Sequence, residues 1–254
     1  MGVGGVLVDG AIGGAGLNGS FLASDTLVAP DGGVTARVGQ EYRVSPLMTH
    51  AGVCVECILG VLPMAQLHSV QVFEGGEASV HRVLAGLRYA LTLQARVVCL
   101  PWAIGRTRVE ADLAELCRGG EEMGIVIVAA QPQQEPRPVP AAFTSVLAVS
   151  RCARRDPQGC SFAWSDSLRA VITPLPPSHG CALVAGLAMM YLDQEPAGNL
   201  SSFRECLDAF SRDHIPPLPE FVTLEERAQH LLRKLPGILS KAFMSFLGNS
   251  GVQP

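Results

Sequence analysis

Residues 6–19, VLVDGAIGGAGLNG, admit two readings that lead to different proteins. Gly14 to Gly19 fits G-x-G-x-x-G, the spacing of a loop that cradles a dinucleotide phosphate. Alternatively, the apolar run at residues 5–9 is a short buried strand, and Asp9 is a carboxylate delivered to the rim of a sheet. The glycine-loop reading fails on context. Its first glycine should stand at the strand end and lead into an apolar helix, yet Gly14 comes well after Asp9, and NGSFLASDTLVAPDGG (18–33) reads as loop. No acidic residue ends a second strand about twenty residues on, where a ribose partner would be needed. The carboxylate remains.

Outward from that strand, apolar runs of two periodicities alternate. HAGVCVECILGV (50–61) is helix-like and rich in small residues, and QLHSVQVF (66–73) alternates like a strand. In 79–94, Val80, Val83, Leu84, Leu87 and Leu91 recur at helical spacing. ARVVCLP (95–101), IVIVAA (125–130) and SVLAVS (145–150) read as buried strands, separated by an amphipathic helix over 108–124. SHGCALVAGLAMMYL (178–192) is a helix apolar on all sides. This alternation predicts an α/β fold of three layers, a mostly parallel sheet covered by helices on both faces.

Two regions are expected: a catalytic domain over 1–194, and a helical extension over 195–254 beyond a change of character. In the extension, HIPPLPEF (214–221) is a proline-rich joint. Residues 223–247 read as an amphipathic helix broken or kinked at Pro236-Gly237, its stripe of Leu224, Ala228, Leu231, Leu235 and Ile238 read as packing on the domain's own surface, with docking on a partner as the alternative.

Bulk properties narrow the class. Of 254 residues, 48% are hydrophobic and 17% charged, which describes a chain with a large buried core. The formal charge of −4 provides no basic footprint for nucleic acid. No apolar run reaches the roughly 18 residues of a membrane span, and no signal-like n-region opens the chain. Cys54, Cys57, Cys99, Cys117, Cys152, Cys160, Cys181 and Cys206 follow no regular framework, and most lie in apolar stretches. They read as reduced thiols of a cytoplasmic protein. Cys54 and Cys57 have the C-x-x-C spacing, but no second pair completes a zinc set. No cofactor or metal is expected, and the oligomeric state is not indicated.

His50 and Ser178 each begin an apolar helix, as Asp9 ends a strand. An imidazole facing a helix N-terminus is disfavoured as imidazolium and stays available as a base. A serine at such a terminus is exposed at the sheet edge, its own backbone N–H free to donate to an oxyanion. Each also has an ordinary structural role: a turn residue, a satisfied histidine, an N-cap. Together, in the order Asp, His, Ser, they form a pattern that those separate roles do not explain.

At these residues the sequence resembles the subtilisin-like serine proteases, the subtilase family, from about residue 4 to 192. VLVDGAI (6–12) resembles the strand carrying the catalytic aspartate, and HAGVCVECILGVLPMAQLHSVQVF (50–73) the histidine helix with the following G-V-A-P-x-A-x-L stretch. GIVIVAAQPQQ (124–134) resembles the strand and loop of the oxyanion asparagine. SVLAVSRC (145–152) and CSFAWSD (160–166) match further family segments, and PPSHGCALVAG (176–186) resembles G-T-S-M-A-x-P-x-V-A-G.

The resemblance implies Asp9, His50 and Ser178 as the triad, and Gln133 with the Ser178 N–H as the oxyanion donors. It implies an extended peptide added as a strand beside Leu100, Pro101, Trp102 and Ala103 and the 73–76 edge with Gly75 and Gly76. Trp102 is then a pocket wall, and Ala129 and Ala130 lie at the pocket floor. Cytoplasmic subtilases include cyanobactin-type enzymes that trim or macrocyclise ribosomal peptides, and that setting is expected here. The family pattern is also eroded: the second histidine of H-G-T-H is absent, Gly-Thr before the nucleophile is Pro176-Pro177, and glutamine replaces asparagine. A pseudoprotease kept for peptide binding or assembly is the alternative.

Overall fold

The computed structural model describes residues 4–13, 19–36, 49–105, 108–133, 137–151, 163–165, 170–173 and 175–213. The expectations for the 14–18 part of the glycine stretch, for Cys152 and Cys160, for Gln134, for residues 160–162 and for everything from 214 onward lie outside them.

A nine-stranded sheet runs in the order β3-β2-β4-β1-β5-β6-β7-β9-β8. The strands are β1 (Gly4–Asp9), β2 (Leu22–Val28), β3 (Val34–Ala36), β4 (Gln66–Gln71), β5 (Val97–Leu100), β6 (Val126–Gln131), β7 (Leu147–Arg151), β8 (Ala163–Ser165) and β9 (Ala170–Thr173). All neighbours are parallel except the edge pairs β2–β3 and β8–β9. The helices are α1 (His50–Val61), α2 (Val80–Ala90), α3 (Glu110–Glu122), α4 (Pro177–Gln194) and α5 (Leu200–Asp213).

Side-chain alternation divides the sheet between two cores. Leu7, Cys99, Val128 and Leu147 pack with α1, α4 and α5, while Val6, Val8, Val98, Leu100, Ile127 and Ala129 pack with α2 and α3. The three-layer α/β architecture follows. Asp9 is two residues beyond Leu7 and so emerges on the α1 and α4 face. The chain leaves β1 toward β2 and β4 on one side and reaches β5 on the other, so Asp9 ends its strand where the winding reverses. Crevices for ligands form at that point in such sheets.

Residues 22–28, expected as loop, are strand β2. Their polar groups are satisfied laterally by β4: Ser24 Oγ bonds His68 Nδ1 at 2.8 Å, and Gln71 Nε2 donates to both Asp25 oxygens at 2.9 and 3.1 Å. A strand whose polar residues are paired this way carries little apolar signature. α5 lies beyond the expected division at residue 194, yet its Leu200, Phe203, Cys206 and Leu207 are buried in the same core as α1 and α4. No described helix is long and apolar enough to cross a membrane.

Candidate active site

Asp9 is fixed by its backbone before its side chain acts. Its carbonyl accepts from the N–H groups of Val72 and Phe73 at 2.8 and 3.3 Å. The preceding carbonyl, of Val8, accepts the Trp102 indole N–H at 2.8 Å, which extends the β1–β5 bonding past its last paired residues, Leu7 and Cys99. The carboxylate then meets His50: Nδ1 lies 2.7 Å from Oδ2. Asp9 is 5% exposed, whereas 47% of the His50 side chain is open. One partner is held and the other faces solvent.

His50 is the first residue of α1, and Thr49 caps it, its Oγ1 accepting from Gly52 N–H at 3.0 Å. That cap is anchored by the Thr49 N–H, which donates to the Gly13 carbonyl at 3.1 Å. The helix terminus was expected to keep the imidazole neutral. The structure corrects this: the Asp9 hydrogen bond holds the His50 pKa above the ordinary histidine value, with partial burial pulling the other way.

Ser178 stands in the first turn of α4, after Pro177, and Pro176 at the cap position makes no side-chain capping bond. The early N–H groups of such a terminus have no carbonyl within the helix. Ser178 is half-buried, and its carbonyl lies 4.0 Å from the sulfur of Cys54, one turn along α1 from His50. The next residue, His179, brings its ring centroid to 6.2 Å from that of His50. Its pKa is lowered, by burial first and by the charge on His50 second. All three elements of the expected triad therefore converge, and Asp9 and His50 are hydrogen-bonded. Among the described residues, no hydrogen bond joins the Ser178 hydroxyl to His50. Nucleophile–base contacts are often looser without substrate.

Gln133 is exposed, and its Nε2 donates to the Arg151 carbonyl at 2.8 Å. The amide expected to serve an oxyanion is thus engaged with the neighbouring strand end.

A cleft of about 780 Å³ opens over Asp9 and His50 and is lined also by Phe73, Gly75, Gly76, Pro101, Trp102 and Ala103. Gly75 and Gly76 have φ of 62° and 86°, and Glu74 and Glu77 exchange backbone hydrogen bonds across them. Two consecutive left-handed residues in such a two-residue turn favour glycine, which carries no Cβ penalty there. Trp102 lines the cleft while being 8% exposed, packed edge-on to Phe73 at 6.0 Å. It is both wall and core. Leu100, Ala129 and Ala130 do not line this cleft: they stand in β5 and β6, mid-sheet, where helices cover both faces, and their side chains are buried.

Sequence reasoning missed His179, whose ring stands beside that of His50, and the wall residues Thr49, Gln71 and Arg82. A threonine before an apolar helix is a readable cap signal. Gln71 is readable only through its register opposite Asp9.

A carboxylate, an imidazole nitrogen and a thiol are the one group of potential metal donors brought together among the described residues, from Asp9, His50 and Cys54. No curated protein sequence matches the chain. The family model of the subtilases matches residues 42–213, which include His50 and Ser178 but begin after Asp9. The histidine helix, the serine helix and the parallel sheet between them are thus accounted for together: the chain belongs to the subtilase family of serine peptidases.

Proposed function

We propose that the protein is an endopeptidase of subtilisin type that acts on an extended peptide through an acyl-enzyme. The observation that carries this is the 2.7 Å bond between buried Asp9 and open His50 at the wall of a peptide-sized cleft. Ser178 attacks the scissile carbonyl, and His50 takes its proton and returns it to the leaving amine. Asp9 fixes the His50 tautomer and stabilises the imidazolium. The uncapped N-terminus of α4 supplies the Ser178 N–H to the oxyanion. The peptide lies along the wall of Gly75, Gly76, Pro101, Trp102 and Ala103.

The proposed substrate is a ribosomal precursor peptide in the cytoplasm, resolved by water or by a peptide amine as in cyanobactin-type maturation. The six described cysteines support a reducing compartment: all are buried free thiols. Mass spectra of candidate precursor peptides after incubation separate the two fates, since a macrocycle is lighter than the hydrolysed product by one water.

Two observations favour a second reading, a pseudoprotease that binds peptide: the Gln133 amide is held by Arg151, and Ser178 is not bonded to His50. A fluorophosphonate discriminates. Covalent modification of Ser178 in the folded protein, lost in Ser178→Ala, is expected of the enzyme. An unmodified Ser178, or a Ser178→Ala variant that still cleaves, sinks the proposed mechanism.

A further inference from the structure

Cys54 is the third neighbour of the Asp9–His50 pair. A carboxylate oxygen of Asp9, a ring nitrogen of His50 and the Cys54 sulfur all lie within 4.8 Å of one another. Asp9 and His50 line the cleft, and Cys54, buried one turn along α1 from His50, lies behind that lining. We propose that Asp9, His50 and Cys54 form a binding site for a divalent cation of the zinc class, and that its occupancy silences the base. The binding claim stands on geometry alone. The silencing rests on the serine-peptidase reading of the same residues.

The donor set selects the ion. Oxygen, imidazole nitrogen and thiolate sulfur suit zinc or cadmium, whereas calcium and magnesium prefer oxygen alone. Bond lengths of about 2.0–2.3 Å place tetrahedral donors about 3.3–3.8 Å apart. The ion must therefore part the Asp9–His50 pair slightly from 2.7 Å and draw the thiol inward, by up to about 1.5 Å on the same bond lengths. A fourth position stays open toward the cleft. Cys57 is not one of the three donors, so the C-x-x-C spacing is not the chelate.

The proton balance explains the silencing. The cation takes the place of the hydrogen between Asp9 and Nδ1, and the thiol gives its proton to solvent. A neutral ring moves its hydrogen to Nε2, so one proton is released in all. An imidazolium keeps its Nε2 hydrogen and loses that on Nδ1, so two are released. The dication with carboxylate and thiolate is then neutral, which suits a largely buried site. In either case Nε2 carries a hydrogen and has no lone pair for the Ser178 proton. Because binding releases one or two protons, affinity falls as pH falls.

Titration calorimetry with zinc chloride tests the site, comparing wild type with Cys54→Val, which replaces the sulfur by carbon and adds one methyl group. We expect one ion per chain in wild type, at least tenfold weaker binding in Cys54→Val, and weaker binding at lower pH. Cobalt(II) in place of zinc should give a thiolate charge-transfer band in wild type and none in the variant. No binding to wild type, or equal binding by a Cys54→Val of unchanged circular dichroism, overturns the site. If that variant does not fold, the cobalt spectrum of wild type decides: a band without thiolate character overturns it. For the silencing, fluorophosphonate labelling of Ser178 is timed in chelator and in zinc. A rate at least tenfold lower in zinc supports it, and an unchanged rate with zinc bound overturns it. Zinc binding with Ser178 unlabelled even in chelator overturns the peptidase reading and leaves the cation site standing.

Discussion

Asp9 and the N-terminus of α1 pull the protonation of His50 in opposite directions, and magnitudes decide between them. A helix terminus is worth about 0.3–1 kcal/mol to a charge in its first turn. A carboxylate accepting directly from Nδ1 at 2.7 Å makes a charge-assisted hydrogen bond of roughly 1.5–3 kcal/mol. The carboxylate wins, and the imidazole pKa lies above its ordinary value of 6.5. The base is available only when deprotonated, so activity is lost as pH falls through that raised value. The acid limb of kcat/KM should therefore lie above 6.5. Asp9→Asn removes the charge that raises it, and the limb should move down in pH. The same variant should lower kcat by up to about 10⁴-fold, because the ring then presents the wrong tautomer. A limb unmoved by Asp9→Asn would show that His50 is not the titrating base.

α1 and α4 carry the base and the nucleophile, so the closeness of their crossing sets the distance between them. Gly186 is where they touch: a Cβ there would lie 3.2 Å from the Ile58 carbonyl oxygen and 3.3 Å from Ile58 Cα. Both are backbone atoms, so the helices must part to admit it. Gly186→Ala should cost about 1–3 kcal/mol as an overpacked contact, read as a lower Tm, and should also slow fluorophosphonate labelling of Ser178. A lower Tm with unchanged labelling would mean that the crossing does not set the site.

The same elements show what the sequence could reveal. β1, β5, β6 and α4 were legible because an uninterrupted apolar run has few destinations in a fold of this size. β2 was not, since Ser24 and Asp25 find their partners on β4, and lateral pairing leaves no mark along the chain. Asp9 and His50 were legible because each stands at the end of a recognisable element. Cys54 lies beside His50 because the two stand one turn apart on α1, whereas the approach of His179 to His50 depends on how α1 crosses α4 and has no counterpart in spacing.

At the scale of the whole molecule, α5 fastens the chain beyond residue 194 to the core that supports the site. Phe203 is fully buried and its ring lies 5.3 Å from that of Tyr191 on α4, the helix that begins with the nucleophile. The link between α4 and α5 is tied down as well: Arg96, just before β5, donates to the Pro196 and Gly198 carbonyls at 2.9 and 2.7 Å. If α5 is part of one cooperative unit, emptying the Phe203 position must weaken the whole fold. Phe203→Ala should cost about 3–5 kcal/mol, a large share of the roughly 5–15 kcal/mol that holds a domain together. Met64, 84% exposed, is the control, and its replacement by alanine should stay within about 0.5 kcal/mol. Urea unfolding is followed by the fluorescence of a Trp164→Phe background, in which Trp102 beside the cleft is the remaining tryptophan, and by far-ultraviolet circular dichroism, which reports on the helices. Coincident transitions shifted to lower urea in Phe203→Ala would make α5 part of the catalytic unit. An unshifted fluorescence transition would make it a separable appendage.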